Sequence, residues 1–133
     1  MGSNSLWVAQ SLSSAFLAVL FLQSGLDKVL DWKGNREYVT GYFAKSPLRA
    51  FTTPMLVTLT LLEVLAGVVS AAGTVATVLV RDTSLALSGA VLAGVTLLAL
   101  FFGQRLAKDY AAAAGLVPYV ILSLGSILLL GWR

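Results

Sequence analysis

The sequence predicts an all-α membrane protein: an antiparallel bundle of four transmembrane helices, with a short interfacial helix between the first and second. Three observations lead there. The 133 residues are 58% hydrophobic and 11% charged, with a mean hydropathy of +0.88, whereas a soluble domain averages about 25% charged residues. A chain this short exposes much of its surface, and here too few polar groups exist to cover it in water. Four runs also reach the roughly 20 apolar residues that a membrane-spanning helix needs. They lie at about 6–28, 54–80, 85–106 and 116–132 within a single integral-membrane domain, residues 1–133.

The first run begins near Leu6 and stays apolar to Leu26, where Asp27 and Lys28 mark a charged boundary. The second opens at Pro54, well placed in a first helical turn where its missing N–H costs little. It continues to Val80, interrupted by one charge, Glu63. Its length calls for tilt or for a break near Gly73. Arg81-Asp82-Thr83-Ser84 makes a tight hairpin in which Asp82, Thr83 and Ser84 are all suited to cap the next helix. The third run covers Leu85 to Gly103 and beyond, and the fourth opens near Leu116-Val117-Pro118 and runs to Trp132.

The one long connection, Asp27 to Thr53, carries Trp32, Tyr38, Tyr42 and Phe43 among basic residues. Tyr38 and Tyr42 stand one helical turn apart, the pattern of a short amphipathic helix lying in the headgroup layer. Ser46-Pro47 is expected to end it, because the residue before proline disfavours helix. An exposed polar loop is the alternative.

Orientation follows from basic residues at span ends. Lys28, Lys33, Arg36, Lys45, Arg49, Arg105 and Lys108 fall on one side, and Arg81 and Arg133 on the other. The excess places the first and third connections in the cytoplasm and both termini outside it. The net charge of +3 and pI near 9.5 thus report membrane orientation, and nucleic acid is not an expected partner. The N-terminus has no basic stretch ahead of its apolar run, so no cleaved signal peptide is expected. Leu6 stands where a myristoylation signal needs Ser or Thr. With no cysteine and no histidine, disulfides and thiolate or imidazole metal ligation are excluded and no metal site is expected.

In lipid, small residues and polar contacts mark the faces where helices meet. Such stripes are Gln10, Ser14, Phe21, Gly25 and Lys28 in the first run, and Glu63, Gly67, Ser70, Ala71 and Thr74 in the second. Gly89 with Ala93 and Ala90 with Gly94 follow in the third, and Ser123, Gly125 and Ser126 in the fourth. Gly25, Gly67, Gly89 and Gly94 are the expected close-packing positions.

Glu63 is the one ionisable residue well inside a run, roughly nine residues or about 13 Å from the start of its helix. A charge at that depth costs roughly 2.5–3.5 kcal/mol on insertion scales, so it should face the bundle and be protonated or paired. It serves as a proton-exchanging group, as a polar contact to a bound quinone or lipid headgroup, or only as an interhelical packing contact. Lys28 is the expected partner, with Gln23 and Asp27 near enough to join the cluster. Arg105 and Asp109, four apart, are placed to pair across a turn. Glu63, Lys28, Asp27, Gln23, Arg105 and Asp109 share the cytoplasmic half, which predicts a polar pocket opening to that side. No residue is assigned a catalytic role.

The run Leu20-Phe21-Leu22-Gln23-Ser24-Gly25-Leu26-Asp27-Lys28 resembles the first-span hallmark of the DoxX family, a glycine followed three residues later by lysine. Leu62-Glu63-Val64-Leu65-Ala66-Gly67 is similar to that family's second-span pattern, and Phe102 to Tyr110 to the end of its third span in a subgroup of small members. The resemblance covers nearly the whole chain. It implies a four-helix protein of the bacterial inner membrane, in a family some of whose members are associated with quinone-linked oxidation of sulfur compounds or with redox-enzyme maturation. The residues carried over are Gly25, Lys28, Glu63 and Gly67. Relatives that handle disulfides use cysteines; this chain has none and cannot be a dithiol–disulfide carrier itself.

The expected function is a non-catalytic subunit or accessory protein of a membrane redox complex, in contact with the lipid bilayer and with partner subunits or further copies of itself. The alternatives are a quinone-binding membrane subunit acting with a soluble oxidoreductase, and a small lipid-binding or transport protein. No covalently bound cofactor is expected; a quinone or a lipid is the ligand to look for.

Overall fold

A computed structural model describes residues 2–132. Arg133, counted in the charge asymmetry, lies outside the described residues. The order is α1 (Gly2–Leu30), α2 (Trp32–Tyr42), a 3-10 turn (Arg49–Phe51), α3 (Thr52–Val80), α4 (Ser84–Leu106), α5 (Tyr110–Gly115) and α6 (Val117–Leu130). There is no strand among the described residues. Four stretches are long and apolar enough to cross a membrane: Asn4–Leu30, Arg49–Val80, Ser84–Leu106 and Tyr110–Leu130. The fourth therefore starts six residues before the expected Leu116. Asp109 caps a helical turn there, its Oδ1 accepting from Ala112 N at 3.2 Å, and Pro118 sits in the first turn of α6 where it costs no hydrogen bond.

Helix α3 is continuous, without the break considered at Gly73. That glycine is instead a contact point. A Cβ built there would run into the backbone of Ala86 in α4, so a hydrogen at this position is what lets the two helices touch. The turn between them is set by Arg81, whose φ of 54° is left-handed and whose amide closes on Thr77 O at 3.1 Å. Of the expected caps, Asp82 supplies the side chain: its Oδ1 accepts from Ser84 N at 3.0 Å.

Small-residue stripes meet across the helices. Gly25 packs on Val64, Gly67 on the backbone of Leu22, Gly89 on Ser70, and Gly94 on Ser123. A Cβ built at Gly125 would meet nothing within 4 Å, so that glycine marks no close approach between helices. The core joins Leu17 and Phe21 of α1 with Ala66 of α3, Ala86, Ala90, Ala93 and Leu97 of α4, and Leu130 of α6. Outward positions such as Phe16, Val19, Leu61, Leu98 and Ile121 are apolar and exposed, as expected where lipid replaces water.

Serines and threonines close the seam at the end that holds the N-terminus. Ser14 Oγ donates to Ser70 O at 3.0 Å and Thr74 Oγ1 approaches Ser14 Oγ at 2.9 Å. Trp7 Nε1 donates to Thr77 O at 2.7 Å, and Gln10 Nε2 to Leu129 O at 3.0 Å. At the opposite end the connection 31–51 and the α4–α5 corner come together, and there the packing opens.

Candidate functional site

The helix α2 is built from local rules. Asp31 caps it, with Oδ1 accepting from Gly34 N at 3.2 Å. Its one-turn spacing stacks Tyr38 on Tyr42 at 5.7 Å between ring centroids, and Phe43 meets Tyr42 edge-on at 4.9 Å. The helix ends at Tyr42, ahead of Ser46-Pro47, so the stop comes one turn sooner than proline alone dictates. Phe43 is buried, its ring against Gly103 of α4.

The end of α4 explains what α2 meets. Lys108 adopts φ 61°, and two bonds close around it: Asp109 N to Gln104 O at 3.0 Å and Lys108 N to Arg105 O at 3.1 Å. This is a Schellman-type stop with lysine in the place that usually holds glycine. It takes Asp109 out of helical register with Arg105, so the expected one-turn pair does not form. Arg105 instead lies over the ring of Tyr110, 4.6 Å from its centroid, and Asp109 accepts from the Tyr42 hydroxyl at 2.7 Å. That contact fastens α2 to the α4–α5 corner. It holds the Asp109 carboxyl below its ordinary value, first through the Tyr42 hydroxyl and then through the Ala112 amide. Burial and the neighbouring carboxylate push the Tyr42 phenol up.

Between α2, the 3-10 turn, α3 and α4 lies a cavity of about 520 Å³. Its walls are Phe43, Leu48, Phe51, Pro54, Met55, Leu56, Leu59, Leu62, Ala99 and Leu100. A few polar groups converge on it: Lys28, Asn35, Tyr38, Tyr42, Gln104 and Asp109. An apolar chamber with a small set of directed polar groups is the usual form of a small-molecule site.

Glu63 lies just behind this wall. It is 2% exposed, and its Oε2 is 3.0 Å from Lys28 Nζ. Lys28 therefore faces two ways, holding the buried carboxylate and lining the cavity. Of the six residues expected to form a polar pocket, Lys28 and Asp109 line the chamber and Glu63 supports Lys28. Gln23, Asp27 and Arg105 are exposed and do not line it. They share its depth along the chain but sit on outward faces of their helices. The lining residues that sequence reasoning passed over are Gln104, Asn35 and the Tyr42–Asp109 contact. Gln104 has a signal in hindsight, being one turn beyond Leu100 on the apolar face of α4 where a polar residue is out of place. The meeting of Tyr42 with Asp109, 67 residues apart, has none.

No family model, curated protein or solved structure matches the chain.

Proposed function

We propose that this chain is a multi-pass protein of the bacterial inner membrane, of the DoxX kind, that binds a quinone-class amphiphile and serves as a membrane subunit of a redox complex without catalysing a reaction alone. In this reading the four long helices form an antiparallel bundle and α2 lies in the headgroup layer. The connections at 31–51 and 107–109 face the cytoplasm, and both termini lie outside it. The basic residues support that orientation, with Lys33, Arg36, Lys45, Arg49, Arg105 and Lys108 gathered around one end.

The observation that carries the functional reading is the cavity: about 520 Å³, mostly apolar, and headed by Lys28, Gln104 and the Tyr42–Asp109 contact. An accessory protein that only props up its partners needs no such chamber. Its apolar walls suit an isoprenoid-like tail, and Lys28, kept in place by buried Glu63, offers a donor to a ring oxygen. The test is retention of decylubiquinone by the purified full chain in detergent. Wild type should retain it above a protein-free detergent control, and Met55→Trp, which fills the chamber, should not. Retention by wild type no greater than the control overturns the reading.

A further inference from the structure

The exposed lining of the chamber falls at two levels. Tyr38, Phe51 and Pro54 belong to α2 and the first turn of α3 with its approach, which stand at the headgroup layer in the proposed orientation. Thr58 and Ala99 line the same chamber and are also exposed, but they lie deeper. Thr58 is six residues inside the start of α3 and Ala99 seven inside the end of α4, about 9 and 10 Å at 1.5 Å per residue. The polar layer on each side of the bilayer's hydrocarbon takes only about 5–8 Å.

These two residues come to nearly the same height on neighbouring helices. Gly73 lies against Ala86, and Ser70 lies against Gly89, three residues back on α3 and three forward on α4. Carried further, that register brings Ala99 level with Thr60, about 3 Å along the axis from Thr58. The helices touch at the first two places and part at this one. Ala99 and Gly103, one turn apart, both line the chamber, so α4 presents little side chain to it over that turn. A Cβ built at Gly103 would meet the ring of Phe43 at 3.5 Å and nothing of α3 within 4 Å. On the other rim, Thr58 Oγ1 donates to Pro54 O at 2.9 Å, so its hydroxyl is already satisfied by its own helix. A gap of this kind opens sideways into hydrocarbon and asks for no polar partner.

The size of the chamber limits what it encloses. At about 520 Å³ it is in the range that holds a drug-sized molecule, so a quinone ring and a short stretch of tail fill it. A long polyprenyl tail does not fit beside them. Nor would enclosing it help, because lipid is as apolar as the chamber walls. We infer that the gap between α3 and α4 at Thr58 and Ala99 is a lateral portal, through which the polyprenyl tail of the bound amphiphile passes into the bilayer while its head stays in the chamber. The inference rests on the reading of the chamber as a quinone-class site. It adds the form of the ligand, a long-tailed carrier, and its source, the membrane and not the cytosol.

The experiment uses the immobilised full chain in detergent, equilibrated with two ubiquinones that share one ring. One carries a single isoprene unit and the other a long polyprenyl tail. After washing and extraction each form is quantified above its retention by Met55→Trp, which fills the chamber but carries the same belt of detergent. Wild type should retain both. Ala99→Trp should lower retention of the long-tailed form by about tenfold or more, since crowding an apolar site by even a methylene discriminates at about that level. It should leave the single-isoprene form unchanged, because a short tail needs no exit. Thr58→Trp, on the facing rim, should act alike. Leu98→Trp should change neither form, because Leu98 is 67% exposed and does not line the chamber. Long-tailed retention unchanged in folded Ala99→Trp and Thr58→Trp overturns the portal, as does equal loss of both forms in the two variants. Wild type that retains the single-isoprene form alone, whether or not phosphatidylglycerol is extracted in place of the long-tailed one, also overturns it. Each of these leaves the proposed function standing, whereas retention of neither form by wild type overturns both. If one rim variant does not fold the other decides, and Ala99→Phe replaces them if neither does.

Discussion

The two ends of this helical protein handle polar groups in opposite ways. At the end holding the N-terminus, Trp7, Gln10, Ser14 and Thr74 direct their hydrogens onto neighbouring atoms of other helices, several of them backbone carbonyls. Ser70 Oγ is the exception in that seam, buried and without a hydrogen-bond partner among the described residues. At the other end, Lys28 and Glu63 hold each other at 3.0 Å beside a chamber whose lining also includes Gln104, Asn35 and Asp109. In lipid both arrangements have the same cause, since apolar burial gains little and polar groups must find partners inside. The difference is that the first end directs its polar groups into contacts along the helix seam, whereas the second gathers several of them around a chamber. One end is closed by its own hydrogen bonds, and the other is held open by an ion pair and a hydroxyl–carboxylate contact.

That contrast can be broken most severely at the ion pair. Lys28→Met leaves Glu63, 2% exposed, without its cation, and removing one partner of a buried pair costs about 3–5 kcal/mol. Glu63→Gln should cost less, because Lys28 is 17% exposed and can turn outward. The double variant Lys28→Met/Glu63→Gln should recover much of the loss. Unfolding in mixed detergent micelles, read by circular dichroism, would show it; a double variant no better than Lys28→Met would break the pairing argument.

Gly73→Val comes next, and it acts on the closed end. The added side chain meets backbone, which cannot swing aside, and overpacking of this kind costs about 3 kcal/mol. The same unfolding assay should rank it well above Gly125→Val, where there is open space. Equal effects would mean that α3 and α4 do not approach as closely as Gly73 and Ala86 indicate.

Lys108→Gly should raise stability, by about 1 kcal/mol, because φ 61° suits a residue without Cβ. Smaller still is Ser14→Ala: interhelical hydrogen bonds of this type average about 0.6 kcal/mol in membranes. Its effect should be visible at the closed end, as faster hydrogen exchange around Ser70, with quinone retention unchanged.

The last prediction concerns pH. The Asp109 carboxyl is held below its ordinary value of 3.8, so its contact with Tyr42 contributes fully above that value and fades as the pH falls through the lowered one. The Tyr42 phenol is held above its ordinary value of 10.0, so the contribution persists below that value and is lost only in stronger alkali. The difference in melting temperature between wild type and Tyr42→Phe should therefore be steady near neutrality and shrink on acidification below 3.8. A difference independent of pH would mean that the hydroxyl contributes through packing alone.

Much of the helical architecture is legible in the sequence because hydropathy over some 20 residues is a coarse and robust signal. The small-residue stripes are legible for a similar reason: Gly25, Gly67 and Gly89 each lie on the small-residue face of their own helix, and each meets a neighbouring helix. Helix ends are less so. The early start at Tyr110 and the loss of the Arg105–Asp109 pair both come from one backbone dihedral at Lys108, which a lysine in the sequence does not announce. The proximity of Lys28 and Glu63 can be argued from depth, since a buried acid in one span needs a cation at the same level in its neighbour. Depth alone, however, does not say which way a side chain faces. Gln23, Asp27 and Arg105 share the level of the chamber and look outward, whereas Gln104 looks in.

The contact of Gly73 with Ala86 has a mechanical consequence. It joins α3 and α4 near their shared turn, as the legs of a pair of tweezers are joined at one end. The other tips, near Pro54 on α3, lie about 28 Å away at 1.5 Å per residue, so a rotation of about 10° about that joint moves them by about 5 Å. Opening for a ligand with a long tail should then appear as divergence of the far tips with no change at the joint. Spin labels on cysteines placed at Phe51 and Phe102 should report it on addition of decylubiquinone, against a still pair at Val78 and Leu85. Because the native chain has no cysteine of its own, each label would sit only where it was put.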